Sequence, residues 1–242
     1  MLLKGAAGRA ADMRAPVPGG TGAGDDCRAG EILAVLARTY PRAETELRFA
    51  TPFQLLVAVM LSAQSTDRQV NKITARLFRR FPTPADFARL TPEELAGEIK
   101  GCGLYRNKSR HIIETSRILV EKYDSRVPTT REELERLPGV GRKTAGVVLN
   151  VAFGQPTLPV DTHVFRVSHR LGLAGAGTPE KTETELLRLV PPEERRKVHH
   201  RLIALGRQFC RARRPRCSAC PLCALCPSRD AGSDRKDPPG DE

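Results

Sequence analysis

The spacing of apolar residues along the chain predicts a protein built from helices. In several segments apolar side chains recur every three or four residues, which places them on one face of an α-helix. No segment shows the sustained alternation of apolar and polar residues that is typical of a half-buried β-strand. The predicted helical segments are 52–64, 67–80, 105–122, 142–152, 162–171 and 192–211. The pattern therefore predicts an all-α fold.

Several helix starts are marked by a threonine. Thr91 is followed by Glu94 and Thr130 by Glu133, and each pair can form a reciprocal capping box. Proline stands at the first helical position after two further threonines, in Thr83-Pro84 and Thr178-Pro179. These signals predict additional helices between the longer segments.

The two ends of the chain depart from this pattern. Residues 1–28 are rich in Gly, Ala, Pro and Arg, and residues 229–242 are polar. Such composition offers little apolar surface to bury, so both ends are predicted to be disordered tails without chemistry. No run of about 18 apolar residues is present, so no membrane-spanning helix is predicted.

The charge balance indicates a polyanionic partner. The chain carries 40 Lys+Arg against 28 Asp+Glu, a formal net charge of +12. An excess of this kind is expected of a protein that binds nucleic acid phosphates, although a well solvated basic surface would give the same count. The absence of a polybasic amphipathic segment argues against a membrane surface as the partner.

Cysteines near the C-terminus predict a metal centre. Cys210, Cys217, Cys220 and Cys226 are spaced C-x6-C-x2-C-x5-C, and thiolates favour iron-sulfur clusters or zinc. Cys223 opens a second arrangement, C-x2-C-x2-C-x2-C, that omits Cys210. The spacing favours iron-sulfur over zinc but leaves both open. Disulfides are disfavoured because seven cysteines is an odd number and no apolar export segment precedes them, so we expect a reduced, cytoplasmic protein.

The stretch 137–145, Leu-Pro-Gly-Val-Gly-Arg-Lys-Thr-Ala, predicts a tight hairpin between two helices. Gly139 and Gly141 permit the turn and keep side chains away from its outer surface. The backbone N–H groups of the hairpin and of the helix beginning near Arg142 can then bind a phosphate. The stretch resembles the helix-hairpin-helix signature of the DNA glycosylase superfamily.

Asp161 has two interpretations from the sequence. It precedes Thr162 and a helical pattern, so it can simply be the N-cap of that helix. Together with Lys143 of the hairpin and the cysteine spacing, however, the run Val-Asp-Thr-His at 160–163 resembles the endonuclease III family. Members of that family are bifunctional DNA glycosylases and AP lyases that remove oxidised pyrimidines. The resemblance covers about 30–228 and includes 61–67, 103–108 and His199-His200.

The resemblance implies two helical lobes with a DNA cleft between them. One lobe would span 45–155 and contain the helix-hairpin-helix motif at about 130–152. The other would combine 29–44 with 156–228 and hold a 4Fe-4S cluster on Cys210, Cys217, Cys220 and Cys226, leaving Cys223 as a spare thiol. The duplex would be kinked and the damaged nucleotide flipped out into the cleft.

The resemblance also implies roles for individual residues. Lys143 would attack the sugar C1′ and Asp161 would assist, with a phosphate contact as the alternative role for Lys143. We expect the helix start, Arg142 and burial to lower the pKa of Lys143 so that its amine is neutral. Gln64 would fill the gap left by the flipped base and Leu104 would wedge into the stack, unless Leu104 is a core residue. The residues expected to contact DNA are Gln64, Leu104, Tyr105, Gly139, Val140, Gly141, Arg142, Thr144, His163, Arg211, Arg213 and Arg214. A solvated face is the alternative for the three loop arginines, and a contact with Asp161 is the alternative for His163.

These observations lead to one preferred function and three rivals. We expect a monomeric enzyme of base excision repair that acts on double-stranded DNA containing oxidised pyrimidines or abasic sites, in a cytoplasm where it associates with the nucleoid. The adenine mismatch glycosylases share the hairpin, aspartate and cluster but lack a lysine at the position of Lys143. A non-enzymatic zinc module that binds DNA and a ferredoxin-like electron carrier are the other two rivals.

Overall fold

A computed structural model describes residues 23–229, which contain α-helices, short 3-10 turns and no β-strand. This confirms the predicted all-α class. The helices are α1 (Ala23–Thr39), α2 (Pro52–Ser62), α3 (Asp67–Arg80), α4 (Pro84–Ala88), α5 (Pro92–Glu98), α6 (Tyr105–Lys122), α7 (Arg131–Glu135), α8 (Arg142–Phe153), α9 (Thr162–Arg170), α10 (Pro179–Leu189) and α11 (Arg195–Gln208). The 3-10 turns cover Pro192–Glu194 and Cys223–Leu225. None of the described helices has the length and apolarity needed to cross a membrane.

The predicted starts of the helices are confirmed in most places. Thr83 and Thr91 form reciprocal capping boxes with Asp86 and Glu94. The predicted segment 192–211 is divided, because a 3-10 turn at Pro192–Glu194 precedes α11.

The predicted tail at 1–28 is wrong for its last residues, because α1 already begins at Ala23. Ala29, Ile32 and Leu36 bury one face of this helix, and its backbone hydrogen bonding continues into the more polar residues before them. The rest of that predicted tail, residues 1–22, and most of the other, residues 230–242, lie outside the described part of the chain.

Two hydrophobic cores divide the molecule. The first lies among residues between Leu47 and Val151, and we call this part the first lobe. At its centre α2 is buried on nearly all sides, as expected for its almost continuous apolar sequence. The second core joins buried residues of α1 to others between Leu158 and Leu222, and we call this part the second lobe. The helix α11 packs against both α1 and α9, so the second lobe joins α1 to helices that are distant from it in the sequence.

Candidate active site and cluster loop

The two lobes face each other across a cavity of about 1130 Å³. Its lining includes Lys143 at the start of α8, Asp161 at the start of α9, and the segment 39–47 that leads from α1 towards α2. The structure thus brings the two predicted catalytic residues into one cavity. Each comes from a helix start in a different lobe.

The hairpin between α7 and α8 contains two glycines with different requirements. Gly139 has φ 74°, and a Cβ there would lie 2.9 Å from Nδ1 of His111, so both conformation and space demand glycine. Gly141 has an ordinary φ of −94°, and a Cβ there would meet nothing within 4 Å. Nothing within the described chain requires glycine at position 141. The residue keeps the outer surface of the turn open to a ligand.

The start of α8 offers free backbone donors. Gly141 is its N-cap and has no side chain to accept a hydrogen bond from the first turn. The first N–H groups of a helix without a cap form an anion site. Thr144 is half-buried in this turn, and the predicted contact of Val140 with DNA stays a prediction. Its side chain is buried in the first core and its N–H donates to the carbonyl of Leu137 at 3.1 Å, so it supports the turn from inside.

Lys143 lies in the cavity wall with its amine largely removed from solvent. Burial lowers its pKa below the ordinary value of 10.5, while the negative charges of Asp161 and Asp67 oppose that shift. The direction agrees with the expectation from the sequence, but Arg142 contributes differently from what was expected. Its Nε donates to Glu183 Oε2 at 2.6 Å, so a carboxylate compensates its charge. Desolvation, and not a neighbouring cation, is the leading cause of the shift.

Glu183 of α10 connects the hairpin to the second lobe. Its side chain is only 4% exposed, and its two oxygens accept hydrogen bonds from Arg142 and, at 2.8 Å, from Arg131 of α7. A buried carboxylate of this kind needs such partners, because a charge left unpaired in the interior is strongly destabilising. The ion pairs therefore hold both helices of the hairpin against α10.

Asp161 is the N-cap of α9, as the simpler interpretation of the sequence held. Its Oδ1 accepts hydrogen bonds from the N–H groups of His163 at 2.9 Å and Val164 at 2.7 Å. Within the described residues Oδ2 makes no hydrogen bond, so one carboxylate oxygen stays available to a ligand. The ring of His163 is half-buried and its Nδ1 lies 3.3 Å from the guanidinium of Arg166.

A buried histidine pair lies behind the two catalytic candidates. Nδ1 of His199 donates to the carbonyl oxygen of Pro159 at 2.9 Å, and the ring packs edge-on against that of His200. Burial lowers the pKa of His199 to about 4 and that of His200 to about 3. Because a neutral ring presents an N–H to the carbonyl, we assign the Nδ1–H tautomer to His199. Both histidines line the cavity between the lobes.

Asp67 and Arg207 are functional candidates that the sequence did not single out. Asp67 begins α3 and lines the cavity, and its Oδ2 accepts a hydrogen bond from Arg207 of α11 at 2.6 Å. The same guanidinium donates to Glu46 at 2.6 Å, so it crosses from the second lobe to the first. Asp67 is the last residue of the stretch 61–67 that carries the family resemblance. In the sequence it resembles an ordinary acidic residue at a helix start, so its position beside Lys143 could not be predicted.

The two residues predicted to enter the base stack, Gln64 and Leu104, share an unusual backbone conformation, and we call them the duplex-contacting residues. Gln64, which follows α2, has φ 54°, and Leu104, which precedes α6, has φ 56°. Both are exposed, and Leu104 exposes 56% of its surface, which excludes the alternative that it is a core residue. Tyr105 is half-buried and packs against the first core beside them.

The cysteine loop encloses a second, smaller cavity. All five cysteines of the loop line a space of about 150 Å³, several times the volume of about 30 Å³ that a water molecule occupies. No three His, Cys, Asp or Glu side chains in residues 26–229 converge closely enough for a single metal ion. Soft thiols placed around such a space fit a multinuclear iron-sulfur cluster. The loop is joined to α9 by Arg170, whose guanidinium lies 3.7 Å from Cys210 Sγ, and it exposes Arg211, Arg213 and Arg214.

Comparisons with known proteins agree with this geometry. Residues 57–192 match the model of the HhH-GPD superfamily base excision DNA repair proteins. Endonuclease III of Bacillus subtilis is 50% identical over 188 residues, which cover 77% of this chain and 86% of that protein. Endonuclease III of Escherichia coli K12 is 50% identical over 196 residues, covering 81% and 93%.

Solved structures give the same result. A trapped endonuclease III–DNA covalent intermediate superposes with a TM-score of 0.81 at 46% sequence identity, covering 84% of this chain and 96% of that one. The helical lobes, the hairpin and the matched length all point to one group of repair enzymes. The chain belongs to the endonuclease III family of the HhH-GPD superfamily, whose members are DNA glycosylases with AP lyase activity.

Proposed function

We propose that the enzyme removes oxidised pyrimidines of the thymine glycol type from double-stranded DNA through Lys143 and then cleaves the strand at the abasic site. The observation that carries the proposal is the desolvated Lys143 amine, which shares one cavity with Asp161 beside a helix start without a cap. Solved complexes of endonuclease III with DNA, one trapped and covalent and one non-covalent, support a covalent route for this chain.

The chemistry begins with the unprotonated Nζ of Lys143 attacking C1′ of the damaged nucleotide. The C1′–N bond to the base breaks, and the base leaves with the bonding electrons and takes up a proton. The attacking nitrogen loses a proton, and the C1′–O4′ bond breaks as O4′ keeps the bonding electrons and takes up a proton, which gives a protonated Schiff base. This iminium acidifies C2′, so loss of a C2′ proton expels the 3′ phosphate by β-elimination. Hydrolysis then frees the lysine.

Asp161 has the position of the assisting carboxylate. Oδ1 is engaged by two backbone N–H groups, and Oδ2 is available to accept the proton that the amine loses. The same negative charge stabilises the positive charge that develops on the sugar as the base departs. The N-cap bonds fix the carboxylate in place, so the structural and catalytic roles reinforce each other.

The surroundings of the cleft supply the contacts to DNA. The open turn at Gly139 and Gly141 and the free N–H groups of α8 bind a phosphate, while Gln64 and Leu104 enter the base stack. The exposed arginines of the cysteine loop add contacts to the backbone on the second lobe.

The test of this function is borohydride trapping on a duplex that contains thymine glycol. Reduction converts a Schiff base into a stable bond, so we expect a covalent protein–DNA species with damaged duplex and none with undamaged duplex. Base release without any trapped species would show that the protein is a glycosylase that does not form a Schiff base.

We propose further that Cys210, Cys217, Cys220 and Cys226 hold a 4Fe-4S cluster. When bound, the cluster organises the loop and docks it on α9 without taking part in bond making. Cys223→Ser should retain the iron and sulfide content and the activity, whereas Cys210→Ser should lose the cluster and solubility together. The arrangement that uses Cys223 in place of Cys210 requires the reverse, and zinc in place of iron would exclude both.

The remaining parts of the proposal concern where and in what state the enzyme acts. The net charge of +12 supports association with the nucleoid in the cytoplasm, and the placement of both catalytic candidates on one chain supports a monomer. Fractionation of cells and light scattering of the purified protein test these two points.

A further inference from the structure

Lys108 is a lysine whose side chain the proposed reaction does not use. It lies in the first turns of α6 and is buried, with 7% of its surface exposed. Burial lowers its pKa, and no carboxylate of the described residues forms an ion pair with it. Because removing an ammonium from water is costly, the groups that receive its hydrogen bonds must matter to the fold.

The ammonium of Lys108 binds the end of α2. Its Nζ donates to the carbonyl oxygen of Leu61 at 2.7 Å and also to that of Ala63. Carbonyls at the end of a helix have no partners within the helix and carry its negative dipole end, so a cation there completes their bonding. Lys108 thereby fixes the backbone immediately before Gln64.

The loops that carry Gln64 and Leu104 are also joined directly. The N–H of Gly103 donates to Ser65 Oγ at 3.1 Å. A Cβ at Gly103 would lie 2.8 Å from the carbonyl oxygen of Gln64. The two loops are therefore too close together for any residue other than glycine at position 103. Ser65 and Gly103 thus join the same pair of loops that Lys108 contacts.

The two residues held in this way are both in the left-handed backbone region. For residues other than glycine that conformation is strained, and it persists only where the surrounding structure imposes it. Leu104 has no side-chain cap, and its carbonyl accepts from the N–H of Lys108 at 3.1 Å. One residue therefore bonds the backbone at both loops, because its ammonium contacts the carbonyl of Ala63 just before Gln64 and its amide contacts the carbonyl of Leu104.

We propose that Lys108 is a positioning residue that fixes Gln64 and Leu104 at one spacing, so that the two side chains enter the duplex together. The proposal rests on the proposed function, in which these residues offset the unstacking of the damaged nucleotide. Lys108 contacts neither DNA nor the reacting atoms. Its effect is confined to substrates that must be opened.

The test compares two substrates with the same lesion. Thymine glycol is placed in a fully paired duplex and in an unpaired bubble, and single-turnover rates are measured for the wild-type protein and for Lys108→Met, which keeps the length of the side chain but removes its charge. We expect Lys108→Met to lose about tenfold or more on the paired duplex and to change little on the bubble, because buried hydrogen bonds to a charged group carry about that weight. Leu95→Ala, a core truncation in α5, is the control, since it should lower the melting temperature without removing a hydrogen bond of Lys108, Ser65 or Gly103.

A double-mutant cycle provides the second measurement. In a background of Gln64→Ala with Leu104→Ala, Lys108→Met should cause little further loss on the paired duplex, because the residues through which it acts are absent. Gly103→Ala, which forces the loops apart by contact with the carbonyl of Gln64, should show the same dependence on substrate as Lys108→Met.

The outcomes separate this inference from the proposed function. If the wild-type protein acts on neither substrate, the proposed function itself is overturned. If the wild type is active and Lys108→Met loses equally on both substrates, or as Leu95→Ala does, the residue only stabilises the fold and the inference is overturned. Additive losses in the double-mutant cycle would overturn it as well.

Discussion

The catalytic candidates and the duplex-contacting residues occupy opposite kinds of backbone. Lys143 and Asp161 lie at the starts of two regular helices, where the backbone is relaxed and the side chains are partly buried. Gln64 follows the end of α2 and Leu104 is the N-cap of α6, and both have positive φ and exposed side chains. The enzyme thus places its chemistry on rigid, desolvated positions and its contacts with the base stack on strained, exposed ones. Strain of this kind is retained where it orients a functional side chain.

The first way to test the catalytic side is Lys143→Gln. This change removes the only amine proposed to form the Schiff base, so base release and borohydride trapping should both be abolished. Binding to damaged duplex, measured by fluorescence anisotropy, should remain close to wild type because many phosphate contacts persist. Lys181→Gln, on the exposed surface of α10, serves as the control. Full trapping by Lys143→Gln would identify a different nucleophile.

Asp161→Asn separates the two roles of the aspartate. Asparagine is as good an N-cap as aspartate, so the melting temperature should change little. Turnover should fall by about 10² or more, the scale of general acid-base assistance. Activity that survives this substitution would show that Asp161 acts only as an N-cap. The contrast between buried catalytic residues and exposed duplex-contacting residues would then depend on Lys143 alone.

Glycine substitutions test the strained side. In Gln64→Gly and Leu104→Gly the left-handed backbone is no longer strained, so the melting temperature should be unchanged or raised. Turnover on paired duplex should nevertheless fall by about tenfold, because contacts with the base stack are lost. Ser125 has φ 59° in the turn after α6 and does not line the cavity. Ser125→Gly is therefore the matched control, and a similar loss of turnover in it would show that the change in backbone strain, and not the loss of contacts with the base stack, causes the effect.

The histidine pair behind the catalytic candidates predicts a dependence of stability on pH. Both pKa values are lowered from 6.5, to about 4 for His199 and about 3 for His200. Above pH 6.5 the rings are neutral in both states, and below it the unfolded chain takes up protons that the folded protein refuses. Stability should therefore decrease from about pH 6.5 towards pH 4, by about 1.4 kcal/mol per pH unit for each histidine. Thermal melts across this range test it, and His200→Gln should flatten the decrease.

Much of the fold and part of the site could be predicted from the sequence. Helix periodicity and threonine caps are local signals, so α2, α3, α6, α8 and α9 begin where the pattern indicated. Lys143 stood out because it follows a glycine turn whose chemistry is also local. The catalytic roles themselves remain predictions.

The residues that were missed depend on contacts between distant parts of the chain. Glu183 resembles any polar residue of an amphipathic helix until Arg131 and Arg142 are placed on either side of it. Arg207 likewise gains its meaning only when α11 meets α3. Lys108 could have been noticed in the sequence, because it lies on the same face of α6 as Ile112 and Thr115, which are buried. A lysine on a buried face needs a hydrogen-bond acceptor there.

The pairing of Arg142 with Glu183 has a consequence for how the hairpin responds to salt. A cation already neutralised by a carboxylate displaces few condensed counterions when a phosphate arrives. An exposed arginine such as Arg213, which makes no ion pair within residues 23–229, displaces about one. Phosphate binding at the hairpin then depends on backbone dipoles, which release no counterions. The phosphate contacts at the hairpin should therefore persist at ionic strengths that weaken the other contacts between protein and DNA.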